Sequence, residues 1–268
     1  MKNFSSKEIR FSGDTIKSCV GFIDLVDSTK NIATMEGLDN IRMYYSTFIN
    51  SISKLITNSG NGKVIKNIGD CLLFYFPKTS NINDINSFKK AIECCFKILD
   101  ERYKINNELA RQHLPPFSYR ISMDYGAVDL ALVGDYSQID LFGSTINLCS
   151  KINSSSFYAQ NKLIIGDNLY RLLKTFSSDT AIVNNYYFTN SEGYKRTDTN
   201  IYLTYNVIRR ANYLVSITKN NKKDFLTKKQ LSIFEEDEKT FFFHKKNGTK
   251  RIILVDDEQM TFLPLECF

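Results

Sequence analysis

The heptapeptide Val20 to Val26, VGFIDLV, is apolar but for one carboxylate, Asp24. A run without polar alternation reads as a strand buried on both faces, and a charge stays inside such a strand only where something compensates or uses it. The following segments arrange themselves around that strand. Ile41, Tyr44, Tyr45, Phe48, Ile49, Ile52, Leu55 and Ile56 recur at three and four and predict a long amphipathic helix, ended by Ser59-Gly60. Gly62 to Phe76 predicts a hairpin, broken by the turn residues Asn67 to Asp70 and closed by Pro77. Phe88, Ile92, Cys95, Phe96, Leu99 and Tyr103 predict a second long helix, stopped by Pro115-Pro116.

Tyr119 to Asp124 and Ala127 to Val133, joined at Gly126, read as another hairpin; Gly143 to Ile152 reads as a short helix, Lys162 to Ile165 as a strand and Asn168 to Phe176 as a helix. Ala181 to Phe188 and Asn200 to Ile208 read as a final hairpin. The order is βαββαβ with additions, an α+β sheet with helices on one face. Past Arg210 the chain becomes Lys-rich (Lys219, Lys222, Lys223, Lys228, Lys229), then acidic at Glu235 to Glu238, then β-like at Phe241 to Phe243 and Arg251 to Val255. A boundary near residue 210 therefore separates a domain at 1–210 from a basic linker and short β-containing extension at 211–268.

Thirty-five Lys and Arg against twenty-nine Asp and Glu give a net charge of +6, which suits a polyanionic ligand without identifying one. The lysine cluster reads as a solvated face, so no nucleic-acid partner is expected. No apolar run reaches the roughly 18 residues of a membrane span, and the start has no signal-peptide pattern, so a soluble cytoplasmic protein without membrane contact is expected. The six cysteines include no CxxC pair, and with only two histidines there is no zinc constellation; cysteines in apolar runs read as buried thiols. GxxxxGK[ST] and GxGxxG loops are absent, as is any nucleophile motif with a base partner.

Asp24 lies in the first strand and Asp70 at the tip of the following hairpin, so a hairpin lying beside that strand brings two carboxylates together. Two carboxylates beside an empty pocket suit a hard cation that keeps waters and phosphate oxygens for its remaining positions. From spacing alone, one buried but paired aspartate and one ordinary turn aspartate is the favoured reading.

Phe22 to Lys30 (FIDLVDSTK), Lys66 to Phe76 (KNIGDCLLFYF) and Asp140 to Lys151 (DLFGSTINLCSK) together resemble the class III nucleotidyl cyclases, over roughly residues 18 to 208. The resemblance implies a ferredoxin-like palm that dimerises head to tail, with nucleotide held between two copies. It implies that Asp24 and Asp70 hold two Mg²⁺ or Mn²⁺ ions, and that Lys66 and Asp140 read the purine. A lysine donor with an aspartate acceptor suits the N1 acceptor and N6 donor of adenine, so ATP is the expected substrate. Ser28 and Thr29 fall in the phosphate-binding loop. Asn147 matches the asparagine that orients the ribose, and Lys151 the position of an arginine that stabilises charge on the α-phosphate.

Lysine keeps that charge but loses the planar fork of donors, which predicts altered turnover. Asp27 stands where the family more often has glycine. Lys195 and Arg196 fall where the family supplies a lysine to the β- and γ-phosphates, although a solvated turn would read the same way. The implied reaction is in-line attack of the ATP 3′-hydroxyl on the α-phosphorus, with two metals activating nucleophile and leaving group. The alternatives are a cyclase of other base specificity and a weak or inactive homologue that binds nucleotide or dimerises as a regulatory module.

Arg251 to Glu258 (RIILVDDE) resembles the first strand and acidic pair of a receiver domain, but only eleven residues follow Asp257. Either an additional signalling domain continues beyond the C-terminus, or this is a strand ending in an acidic turn. It assigns no phosphoacceptor.

Overall fold

A computed structural model describes residues 9–133, 138–155, 162–176, 185–191, 194–197, 200–209, 240–246, 249–256 and 259–264. The chain divides into two compact units, Met1–Ile208 and Arg209–Phe268.

The first unit is organised by β1 (Ile9–Leu25), with β2 (Lys63–Ile68), β3 (Cys71–Phe76) and β4 (Tyr119–Val133). Their order in the sheet, β2-β3-β1-β4, is the ferredoxin-like one, with β1 antiparallel to both β3 and β4. β6 (Leu163–Gly166) extends the sheet parallel to β4, then β10 (Thr204–Arg209) and β7 (Tyr186–Asn190). β5 (Gln138–Phe142) pairs with the outer half of β4. β8 (Tyr194–Thr197) and β9 (Asn200–Tyr202) form a separate two-stranded sheet.

Alternation along β1 sorts the core. Cys19, Ile23 and Leu25 face the larger cluster, with Tyr44, Phe48, Ile52 and Ile56 of α2 (Leu38–Gly60), Phe88, Ile92 and Cys95 of α3 (Ile85–Arg111), and Leu169 and Leu173 of α5 (Asp167–Thr175). Val20 and Phe22 face the opposite way, onto Ile146 and Cys149 of α4 (Ser144–Ser155) and Leu141 of β5. The sheet thus carries helices on both faces, not one, because α4 and β5 cover the side that α2 and α3 leave open.

Three further expectations are corrected. Tyr119 to Val133 is one continuous strand and not a hairpin turning at Gly126; the turn comes later, and β5 is the partner. Gly126 is small for a packing reason, since a Cβ there would collide with the Thr145 hydroxyl of α4. The first strand begins at Ile9 rather than Val20, its exposed outer part pairing with β4 out to Val133. On α3, Tyr103 is 75% exposed, and the stripe is completed by Ile98, Ile105 and Leu109.

The predicted final hairpin corresponds to β7 and β10, sheet neighbours with β8–β9 inserted between them; residues 181–184 lie outside the described ones. Cys19, Cys94, Cys95 and Cys149 are buried free thiols, and burial raises each above the ordinary thiol range. Cys267, the lysine-rich stretch and Glu235 to Glu238 lie outside the described residues. No helix among the described residues is long and apolar enough to cross a membrane.

In the second unit, β11 (Thr240–Lys246), β12 (Thr249–Asp256) and β13 (Gln259–Pro264) form an antiparallel meander. The RIILVD run is its middle strand; Asp257 and Glu258 lie outside the described residues.

Candidate active site

β1 and β3 run antiparallel with Asp24 opposite Cys71, which puts the β2–β3 turn beside the end of β1. That turn has Gly69 at φ 64°, a conformation glycine adopts without steric cost, and it leaves Asp70 at the tip. Leu25 N donates to the Asp70 carbonyl at 3.2 Å, tying the turn to the strand. The two predicted carboxylates therefore converge on one open cleft of about 550 Å³, which Asp27, Ser28, Thr29 and Arg120 also line.

Ser28 is buried and donates its hydroxyl to Asp70 Oδ2. Thr29 is exposed at the cleft edge. Both belong to α1 (Ser28–Ala33), which Asn31 ties to α2 by donating to the Tyr44 hydroxyl at 3.0 Å. Asp27 precedes α1 at φ 57°, in the left-handed region, and makes no side-chain cap bond. Here the backbone keeps the shape that favours glycine, although the residue is aspartate.

Arg120, like Lys30, is a charged cleft residue to which the sequence reading gave no role. It is the register partner of Asp24 across β1 and β4, and its guanidinium donates to Asp24 Oδ2 in a largely shielded ion pair. Burial raises the Asp24 carboxyl above its ordinary value; the bond from Arg120 opposes this and the charge of Asp70 adds to it. In sequence Arg120 sits in an alternating stretch, FSYRISMDY, where a polar residue at every other position reads as an ordinary polar face, so only the register of β1 against β4 singles it out.

The donor set fits a hard cation only in part. Two carboxylates and a hydroxyl are oxygen ligands of the right kind, yet among the described residues no three His, Cys, Asp or Glu side chains stand together as a metal site. The remaining positions must come from water and from a ligand's own oxygens, so this site suits a metal arriving with a phosphate.

Lys66 and Asp140 meet on another part of the surface. Lys66 pairs with Leu73 across the β2–β3 ladder, which puts it on the α4 side of the sheet. Its Nζ donates to Asp140 Oδ2 of β5 at 2.5 Å and stands 5.9 Å from the centre of the Phe142 ring. Asp140 Oδ1 accepts from Leu141 N at 2.8 Å, which fixes the carboxylate. Neither residue lines the Asp24–Asp70 cleft.

α4 starts after Gly143, whose φ is 134°, and buries Ile146, Cys149, Ile152 and Asn153. Asn147 and Lys151, one turn apart, are exposed and also absent from the cleft lining. Buried Asn153 reaches the Phe22 and Arg120 carbonyls at 3.4 and 3.5 Å, docking the helix on the strands that carry the cleft charges. Lys195 and Arg196 lie on β8, where the main chain pairs with β9; their side chains lie outside the described residues.

Residues 13–205 match the family model of the adenylate and guanylate cyclase catalytic domain. The chain belongs to that family. It is 25% identical to the photoactivated adenylate cyclase subunit alpha of Euglena gracilis over 140 residues, 52% of this chain but only 13% of that protein's length. The adenylyl cyclase CyaB of P. aeruginosa superposes with a TM-score of 0.61 at 18% identity, covering 76% of this chain and 98% of the other. The guanylate cyclase domain of RhGC from Catenaria anguillulae, solved with GTP, does so at 0.57 and 17%, covering 74% and 100%. Relatives of both base specificities share the fold.

Proposed function

We propose that the protein is an adenylyl cyclase that converts ATP to cyclic AMP and pyrophosphate at sites shared by two copies arranged head to tail. The observation that carries this reading is the Lys66–Asp140 pair. Its ammonium and carboxylate sit side by side at 2.5 Å, a donor beside an acceptor, the complement of the N1 and N6 edge of adenine. Guanine presents the opposite pattern there.

The division of the site residues supports two copies. Asp24, Asp70, Ser28 and Thr29 share the cleft, whereas Lys66, Asp140, Asn147 and Lys151 of the same chain do not line it. A partner's base-reading pair facing this cleft would complete a site, and symmetry would make two.

Asp24 and Asp70 would hold two Mg²⁺ or Mn²⁺ ions, which when bound neutralise polyphosphate charge and ease loss of the 3′-hydroxyl proton. Ser28 fixes the Asp70 carboxylate, and Arg120 balances Asp24. Asn147 orients the ribose, Lys151 faces the charge developing on the α-phosphate, and Lys195 and Arg196 meet the β- and γ-phosphates. The O3′–P bond forms as the bond from the α-phosphorus to the pyrophosphate oxygen breaks, and the proton leaves to solvent. Because Lys151 lacks a guanidinium fork, a second reading as a weak regulatory homologue stands beside this one.

Incubating the protein with each of the four ribonucleoside triphosphates and Mn²⁺ or Mg²⁺, with mass-spectrometric identification of products, tests the proposal. Cyclic AMP as the main product supports it. A different cyclic nucleotide overturns the base reading, and no product from a verified dimer favours the regulatory reading.

A further inference from the structure

The β8–β9 hairpin lies outside the large sheet, and a two-stranded ribbon has marginal stability by itself. Two tyrosines hold it. Tyr194 and Tyr202 are cross-strand partners, and both pack with Leu148 onto Ile152 of α4 and Ile164 of β6. The Tyr202 hydroxyl then reaches past this contact, donating to Asp124 Oδ2 at 2.8 Å and accepting from Asn168 N at 2.9 Å.

Asp124 belongs to β4, is fully buried, and takes no part in the proposed chemistry. Its Oδ1 accepts from Tyr125 N at 2.8 Å and from Leu169 N at 3.0 Å. The latter is a first-turn amide of α5, whose N-cap, Gly166, has no side chain to cap with. A Cβ on Gly166 would collide with the Asp124 carboxylate, so the two residues are matched: glycine leaves the space, and the aspartate caps the helix from a neighbouring strand. One carboxylate thereby joins β4, α5 and β9.

The hairpin rests on the helix that bears Asn147 and Lys151, and its first strand bears Lys195 and Arg196 directly after Tyr194. We propose that Asp124 and Tyr202 are positioning residues for the cyclase reaction, their bond fixing where the β8 segment with Lys195 and Arg196 stands against α4 and so how it meets the polyphosphate. This rests on the reading of Lys195 and Arg196 as phosphate contacts given above. A bond to a buried carboxylate is of the stronger kind, and deleting its donor leaves the acceptor unsatisfied.

The test is calorimetric titration of the full chain with inorganic pyrophosphate in the presence of Mg²⁺, which needs neither turnover nor base recognition. Tyr202→Phe keeps the ring and its packing but removes the hydroxyl, and is expected to weaken pyrophosphate binding about five- to tenfold. Combining it with Lys195→Ala and Arg196→Ala should weaken binding little beyond the latter pair alone, as for residues acting through one another. Pyrophosphate binding unchanged in Tyr202→Phe but lost in the Lys195→Ala, Arg196→Ala protein overturns the positioning role and leaves a structural one, visible only as a lower melting temperature. Binding unchanged in Lys195→Ala, Arg196→Ala overturns the phosphate reading of the hairpin and the positioning role with it. Should Tyr202→Phe not fold, Asp124→Asn, which keeps the shape and the Oδ1 acceptor, is read the same way.

Discussion

Asp24 and Arg120 face each other as register partners on the two central strands, and their ion pair forms the inner wall of the acidic cleft. A carboxylate so placed is shielded, yet stays at the cleft surface where a cation can reach it. Asp24→Asn and Asp70→Ala should each lower cyclic-nucleotide formation by at least about a hundredfold, the scale of losing a preorganised electrostatic contact. Both should retain cooperative thermal unfolding, Asp24→Asn with some loss because Arg120 keeps its charge. A folded variant of either kind that still turns over contradicts the role of these carboxylates.

Asp27 holds a left-handed backbone without the side-chain hydrogen bond that would reward it. Asp27→Gly should therefore stabilise the fold by up to about 1 kcal/mol, offset in part by the entropy of glycine in the unfolded chain. Asp27→Val should destabilise it by a comparable amount. Chemical denaturation of the three proteins side by side checks the order.

Lys151 carries charge without the two-pronged geometry of arginine. If it meets charge that develops only in the transition state, Lys151→Arg should raise kcat about tenfold while leaving KM within about twofold. A change confined to KM would mean that this residue binds the ground state.

Burial raises the Asp124 carboxyl from 3.8 to about 6, with the nearby charge of Asp167 adding slightly and the bonds from Tyr202, Tyr125 and Leu169 opposing. Between those values the folded protein keeps a proton that the unfolded chain has lost. Asp124 therefore favours folding most at low pH, and that contribution falls away as pH rises through about 6. Asn cannot titrate. The stability of the wild type relative to Asp124→Asn should thus drop by about 2 kcal/mol between pH 4 and pH 7 in urea unfolding. A difference that stays constant would mean that Asp124 is ionised throughout.

What the sequence made legible follows from periodicity and from charge out of place. α2 repeats its apolar residues at three and four along its length, and Asp24 stands alone in an apolar strand, so both could be read directly. Gly126 misled because glycine punctuates turns, while here it makes room for Thr145, a contact between elements remote in sequence. The outer part of β1 was illegible because its residues are exposed, which removes the alternation a buried face would impose. Arg120 was hidden for a related reason: its importance lies in the β1–β4 register, and periodicity within one strand carries no register.

The central claim is that each chain contributes its Asp24–Asp70 cleft to one site and its Lys66–Asp140 pair to the other. Mixing Asp70→Ala chains with Lys66→Ala chains, each inactive alone, tests it through the rate of cyclic AMP formation. Subunit exchange should restore about a quarter of wild-type activity, since half of the dimers are mixed and each of those holds one intact site. A mixture as inactive as its parents, with exchange verified, would contradict a site shared between two copies.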